Sequence, residues 1–370
     1  MSVRTATAAI DLQALAHNVT QIKQLAPDSQ ILAVLKANAY GHGLERIAEA
    51  LAEQDVGAFG VARLDEALAL RACGVVKPIV LMEGFFSPQE LPLLDVNSLH
   101  TVIHNQEQLD ALLVANLQTP IKVWLKVDTG MHRLGVEPAQ FHDFYQALKA
   151  SPNVQDDIVL MSHLSCADDV KSDHTPTQLG LFTALTEKLA SQQRLQKTLA
   201  NSAAICAWPA THLDWVRPGL MLYGVSPMLD KTAEQLSIQP VMTLKSSLIA
   251  KRFIKKGESV GYGAAWTAEK DTHIGVIAIG YGDGYPRHAP NGTPVLINGR
   301  RVPLVGRVSM DMINVDLGGA AQGECHDNIG DIATLWGEGL GIEEIAQWAT
   351  TIPYELLCNI TRRVNMTVSS

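Results

Sequence analysis

Short apolar runs recur along the first two thirds of the chain and alternate with segments whose apolar residues fall three and four apart. The runs are ILAVLK (31–36), GAFGV (57–61), IVLM (79–82), HTVI (100–103), KVWLKV (122–127), IVLMSH (158–163), TLAN (198–201) and LMLYG (220–224). Runs that are apolar throughout mark strands buried on both faces, as in a parallel sheet covered by helices. The segments between them predict helices over 44–52, 64–71, 106–115, 138–150 and 176–192. Asp11 reads as the N-cap of an opening helix over LQALAHNVTQIKQL. Eight such strands within about 225 residues fit a (β/α)8 barrel, which typically takes ~250. A doubly wound sheet is the rival, and the lack of G-x-G-x-x-G after the first strand weighs against it.

From about Pro240 the texture changes. Helical spacing nearly vanishes, and strand-like pieces appear at 241–254, 273–280, 293–299, 301–317 and 331–337, with one helix over 342–349. Asn291–Gly292 and Asn298–Gly299 read as hairpin corners. The expected architecture is therefore α/β: a TIM-type (β/α)8 barrel over 1–238, then a mainly β C-terminal domain over 239–370. The boundary lies in the polar stretch SPMLDKTAEQLSIQP (226–240).

Composition narrows the function. The 370 residues carry a formal charge of −9, which disfavours nucleic acid and anionic membranes as partners. No run approaches the ~20 apolar residues of a membrane span. The first residues lack the basic-then-apolar layout of a signal peptide. Five scattered cysteines without a C-x-x-C pair fit reduced thiols and a cytoplasmic location.

In a barrel, chemistry sits at the C-terminal ends of the strands. There the chain offers Lys36 with Asn38 and Tyr40, the segment KVDTGMHRLG with Arg133, His163, Asn201–Ser202, and Arg217 with Gly219. No H-E-x-x-H, G-x-S-x-G or P-loop pattern is present, and His100 and His104 fall on a predicted strand, so metal chemistry is not expected. A desolvated lysine at a strand end suits Schiff-base formation. Backbone amides around NSAA and RPGL suit a phosphate. Together they point to pyridoxal phosphate.

Nine segments then carry a resemblance: VLKANAYGHG, KVDTGMHRLG, MSHLSCADD, NSAA, WVRPGLMLYG, GYGAAWTA, GYGDGYPR, GRVSMDM and PYELLCNI. In this order and spacing the chain resembles the bacterial alanine racemases, pyridoxal-phosphate enzymes of fold type III. The resemblance implies interconversion of L- and D-alanine, a peptidoglycan precursor in its D form, through an external aldimine and two bases. Lys36 would carry the cofactor and act on the D-isomer. Tyr262 would act on the L-isomer from the partner subunit of a homodimer. Tyr40, Asn201, Ser202, Gly219, Leu220 and Tyr354 would hold the cofactor, chiefly its phosphate. Arg217 would face the ring nitrogen, with His163 linking it to Tyr262. Arg133 and the backbone of Met310 would meet the substrate carboxylate. Lys126 matches a lysine often carbamylated in the family, and Asp168, Arg287 and Arg307 match an access corridor. His132 and Ser309 depart from common family residues without touching this chemistry. The alternatives are a serine or broader-specificity racemase of the same fold, a decarboxylase with this architecture, and a single-barrel cofactor carrier. The arginine at 217 argues against the decarboxylase, and residues 240–370 argue against the carrier.

Overall fold

The computed structural model describes residues 5–190, 195–319 and 325–369. The chain divides into two compact units. One holds Ala16–Leu222 and Ser226–Lys231; the other gathers the N-terminal residues through Leu15, Tyr223–Val225 and the chain from Thr232 on.

The strands in chain order begin with β1 (Thr7–Asp11) and continue through β2 (Gln30–Val34), β3 (Ala58–Val61), β4 (Ile79–Leu81) and β5 (Leu99–Ile103). There follow β6 (Val123–Lys126), β7 (Val159–Met161), β8 (Gln196–Asn201) and β9 (Trp215–Arg217). Strands β2 to β9 form a closed, wholly parallel barrel, with β9 pairing back to β2 through Gln30↔Trp215 and Ile31↔Val216. Apolar strands close this way because both faces are covered, the inner one by side chains such as Trp124 and Trp215, whose rings meet edge-on at 5.4 Å.

The opening helix starts where its cap predicts, whereas the helix expected over 138–150 begins only at Phe141. Asp11 Oδ1 accepts the N–H of Gln13 and of Ala14 ahead of helix Leu12–Leu25. Asn105 does the same for Gln108 ahead of Gln106–Val114. The helix expected over 176–192 is His174–Ala190; 191–192 lie outside the described residues.

The eighth barrel strand corrects the expectation. LMLYG is not a strand: Leu220–Tyr223 is a buried 3-10 turn, and the strand is the preceding Trp215–Arg217. Pro218 has no N–H to continue a ladder, and its carbonyl instead accepts from Val34. A short apolar run identifies burial, not geometry. Arg217 is therefore the last residue of a barrel strand.

In the second unit the strands are β10 (Met242–Ile254), β11 (Ser259–Val260), β12 (Trp266–Thr267), β13 (Thr272–Ile277), β14 (Pro294–Ile297), β15 (Arg300–Pro303), β16 (Ile313–Gly318), β17 (Ile332–Trp336) and β18 (Asn365–Ser369). An eight-stranded sheet runs β15-β14-β17-β10-β1-β18, with β13 pairing β10 and β16. β1, which the sequence pattern did not flag, pairs antiparallel to β10 and parallel to β18. Asn298 and Gly299, at φ 49° and 78°, make the two-residue corner of the β14–β15 hairpin. Asn291–Gly292 joins no paired strands; Asn291 accepts from Gly306 N–H at 2.7 Å and donates to Ala265 O. The run expected as one strand over 301–317 splits into β15 and β16 around Gly306, whose φ is 77°. The expected helix at 342 is Ile342–Trp348, and a further helix, Pro353–Cys358, was not anticipated. No helix among the described residues is long and apolar enough to cross a membrane.

The barrel unit buries neutral histidines. His42 is fully buried, with Nδ1 at 3.0 Å from Ala39 O and 2.9 Å from Tyr40 O, so that nitrogen must carry the proton. Burial pushes its pKa down to about 4, and burial beside Lys122 does the same for His100. Between pH 6.5 and 4 the unfolded chain takes up protons that these folded histidines refuse. Stability is therefore whole above pH 6.5 and falls on acidification, by up to about 3 kcal/mol for His42. The urea midpoint is expected to drop over this range, less steeply in His42→Asn, and an equal slope would exclude His42 as a contributor.

Candidate active site

Lys36 lies two residues past the end of β2, after Leu35. Beyond it the backbone turns left-handed for four residues, Ala37, Asn38, Ala39 and Tyr40, with φ of 54°, 56°, 53° and 52°, before Gly41 at 78°. Such residues normally occur singly, because each costs roughly 1–2 kcal/mol outside glycine. The turn buries Tyr40 against Gly219: a Cβ at Gly219 would stand 2.5 Å from the Tyr40 phenol oxygen.

Ser202 opens the short helix Ser202–Ala207 after β8. Its Oγ accepts from the N–H of Gly219 at 2.8 Å and of Met221 at 3.3 Å, tying this helix to the segment carrying Leu220. Asn201 is the cap of the same helix, its Oδ1 accepting from Ala204 N–H at 3.0 Å.

Arg217 is 3% exposed. Its guanidinium donates to Thr198 Oγ1 at 2.6 Å, Ser162 O at 2.6 Å, Leu199 O at 3.2 Å and His163 Nδ1 at 3.3 Å. These partners are neutral, and its Nε has no hydrogen-bond partner among the described residues. Burial lowers its pKa to about 10, which leaves it charged at neutral pH. Because arginine only donates, His163 Nδ1 must accept, and the imidazole proton sits on Nε2. Burial, then the positive charges of Arg217, Lys126, Arg133 and Lys36, hold His163 well below the usual histidine range and so neutral.

Lys126 ends β6 and is buried. Desolvation, with Arg217 and Arg133, pushes its pKa down to about 8; Glu83 partly offsets this and Lys36 adds to it. Thus Lys36, Lys126, His163 and Arg217 gather at the C-terminal ends of β2, β6, β7 and β9. Arg133 lies on an exposed loop held by Asp128, whose Oδ1 accepts from the N–H groups of Gly130, Met131 and His132. Asp168 is half-buried in the loop after β7.

The remaining candidates belong to the other unit. Tyr262 is 72% exposed, in a turn between β11 and β12. Arg287, Arg307, Met310 and Tyr354 are exposed as well, and the Arg307 guanidinium lies alongside Gly263, next to Tyr262. Gly280–Gly284 is fastened to the following loop through Tyr281 N–H to Ser309 O at 3.0 Å and Gly282 N–H to Met310 O at 2.9 Å.

Sequence reasoning missed two partners of Arg217. Ser162 and Thr198 hold Arg217, and nothing in their types announces it. Among the described residues no group of three or more His, Cys, Asp or Glu side chains could hold a metal ion.

Residues 10–227 match the family profile "Alanine racemase, N-terminal domain" and residues 241–368 match "Alanine racemase, C-terminal domain". The chain belongs to the alanine racemase family. The alanine racemase of Vibrio parahaemolyticus is 56% identical over 364 residues, covering 98% of this chain and 99% of that protein. That of Vibrio cholerae is 57% identical over 364 residues, covering 98% of each. A solved biosynthetic alanine racemase from Pseudomonas aeruginosa superposes with a TM-score of 0.93 at 45% identity, covering 99% of this chain and 100% of that one.

Members of the alanine racemase family are pyridoxal-phosphate-dependent enzymes, and the barrel residues here fit that group. The unpartnered Nε of Arg217 offers a donor to a ring nitrogen, and the Tyr40–Gly219–Ser202 cluster forms a cradle that a Cβ would fill. Gly219→Ala should displace the Tyr40 phenol and weaken cofactor binding tenfold or more while the far-ultraviolet circular dichroism stays unchanged. An unchanged cofactor dissociation constant would remove Gly219 from the cradle.

Proposed function

We propose that this chain interconverts L- and D-alanine with two side chains on opposite faces of the substrate, one removing the Cα proton and the other returning a proton to the opposite face. The observation that carries the reading is the environment of Arg217: a buried cation among neutral acceptors, with a spare donor and, among the described residues, no carboxylate hydrogen-bonded to it. Pyridoxal phosphate, when bound, supplies an electron sink that acidifies the Cα–H of the amino acid joined to it. Arg217 keeps its proton, so the sink is a restrained one, which favours return of a proton to Cα over other fates.

The chain's own groups do the rest. Lys36 anchors the cofactor and takes or returns the proton of the D-isomer. Tyr262 does so for the L-isomer, delivered by the partner copy of a homodimer; its exposure on its own unit agrees with that role. His163, neutral with its proton on Nε2, relays the charge of Arg217 toward that phenol. Tyr40, Ser202, Gly219, Leu220 and Tyr354 hold the phosphate, and Asn201 serves them by capping the helix that starts at Ser202. Arg133 and the Met310 N–H receive the substrate carboxylate, and Asp168, Arg287 and Arg307 line the access route. On this reading 1–238 is the cofactor domain, 239–370 supplies the second base, and the enzyme works in the cytoplasm.

Lys126 belongs to the same reading. With its pKa near 8, a usable fraction of the amine is neutral and nucleophilic at physiological pH. Attack of its nitrogen on CO2 forms an N–C bond, releases one proton and leaves a carbamate anion to orient Arg133.

Chiral analysis of L-alanine and L-serine incubations, with borohydride fixation of the cofactor, tests the function; the cofactor is expected on Lys36 and D-alanine as the main product. Tyr262→Ala should lose Cα proton exchange on L-alanine by about a hundredfold or more while keeping exchange on D-alanine. Equal survival of both exchanges would end the two-base reading. Arg217→Glu should lose racemisation and gain a half-transamination, read as pyruvate and pyridoxamine phosphate. Unchanged turnover without those products would refute the role given to Arg217.

A further inference from the structure

We propose that Glu66 and His42 are positioning residues that clamp the left-handed turn after Lys36 and thereby set the direction of its amine. This rests on the reading of Lys36 as the cofactor-bearing lysine. Glu66 lies in the first turn of helix Leu64–Ala72, on a segment separate from Lys36. Its Oε2 accepts the N–H of Ala62 at 2.9 Å and of Arg63 at 3.2 Å, an ordinary helix cap. Its Oε1 does something a cap does not require: it reaches across to the N–H of Ala37 at 2.6 Å. Ala37 is the first left-handed residue and the immediate neighbour of Lys36. One carboxylate thus joins the loops after two adjacent barrel strands through charge-assisted bonds.

The far end of the turn is held by the other side chain. The buried His42 Nδ1 bridges the carbonyls of Ala39 and Tyr40, and the His42 carbonyl accepts from Arg46 at 3.0 Å. Asn38 Oδ1 accepts the N–H of Leu44 at 2.9 Å, capping the helix that follows. Four non-glycine residues in the left-handed region would relax if their surroundings allowed it. Relaxation would rotate the peptide between Lys36 and Ala37 and swing Tyr40 away from Gly219. Fastening at Ala37 and at Ala39–Tyr40 prevents that motion, so the clamp governs amine and phenol together.

Glu66→Gln separates the clamp from the cap. An amide has one acceptor oxygen; turned to the Ala62 and Arg63 N–H groups, it keeps the cap and sets its NH2 against the Ala37 N–H. In the full-length holoenzyme, hydrogen exchange of the peptide covering 35–44 should quicken at least tenfold. Racemisation kcat should fall at least tenfold in both directions with KM for alanine changed less than threefold, and the circular dichroism of the bound cofactor band should change. Unchanged exchange, or a kcat that falls only with the folded fraction, would overturn the proposal. If Glu66→Gln does not fold, the His42 pair decides: His42→Asn, whose amide nitrogen stands where Nδ1 stood, should keep exchange protection and kcat, and His42→Gln should lose both. Equal behaviour of the two would overturn the clamp. Borohydride fixation of the wild type on a residue other than Lys36 would defeat the functional reading on which the proposal rests, and the exchange data would still decide whether the turn is clamped.

Discussion

A full positive charge enclosed in the barrel unit is the constraint around which the site is arranged. Removing a guanidinium from water is costly by several kcal/mol, and the expense is met only if its donors find acceptors. Arg217 finds them on its neighbours: Ser162 and His163 just past β7, and Thr198 and Leu199 in β8. The charge therefore stitches three successive strand ends into one rigid rim. It also dictates the tautomer of His163 and contributes to the lowered pKa of Lys126. One buried ion sets the protonation of its surroundings, and those settings are what a proton-transfer site needs.

The alternation of apolar runs and helical spacing was enough to read the barrel, because strands buried on both faces leave an unbroken apolar signature. Seven of its strands lie where those runs are. The eighth was displaced onto Leu220–Tyr223, since a buried 3-10 turn carries the same apolar string as a strand, and only Pro218 betrayed the break. β1 escaped notice for the opposite reason: five residues, TAAID, are too few to show a period. In the β unit, Asn298–Gly299 announced its hairpin through its turn chemistry, whereas Asn291–Gly292 spent the same chemistry on side-chain bonds to distant loops.

At the site, Lys36, His163 and Arg217 stood out in the sequence not singly, since a lysine or histidine at one strand end is a weak signal, but because several polar groups fall at the same end of one barrel and nine motifs resemble a family. Their supports did not. Ser162, Thr198 and Glu66 act through contacts between segments far apart in sequence, and no local pattern encodes that. The left-handed turn was equally hidden: KANAY contains no glycine, and its backbone state is imposed by Glu66, His42 and the surrounding packing rather than by propensity.

The pairing of β1 with β10 and β18 ties segments far apart in sequence into neighbouring positions of one sheet, Thr7 beside Asn365 and Ile10 beside Val368. During synthesis the opening segment emerges from the ribosome well before either neighbour exists, and its edges wait unsatisfied while the barrel can already assemble. Until both distant neighbours are in place, β1 presents a bare strand edge to any passing aggregation partner.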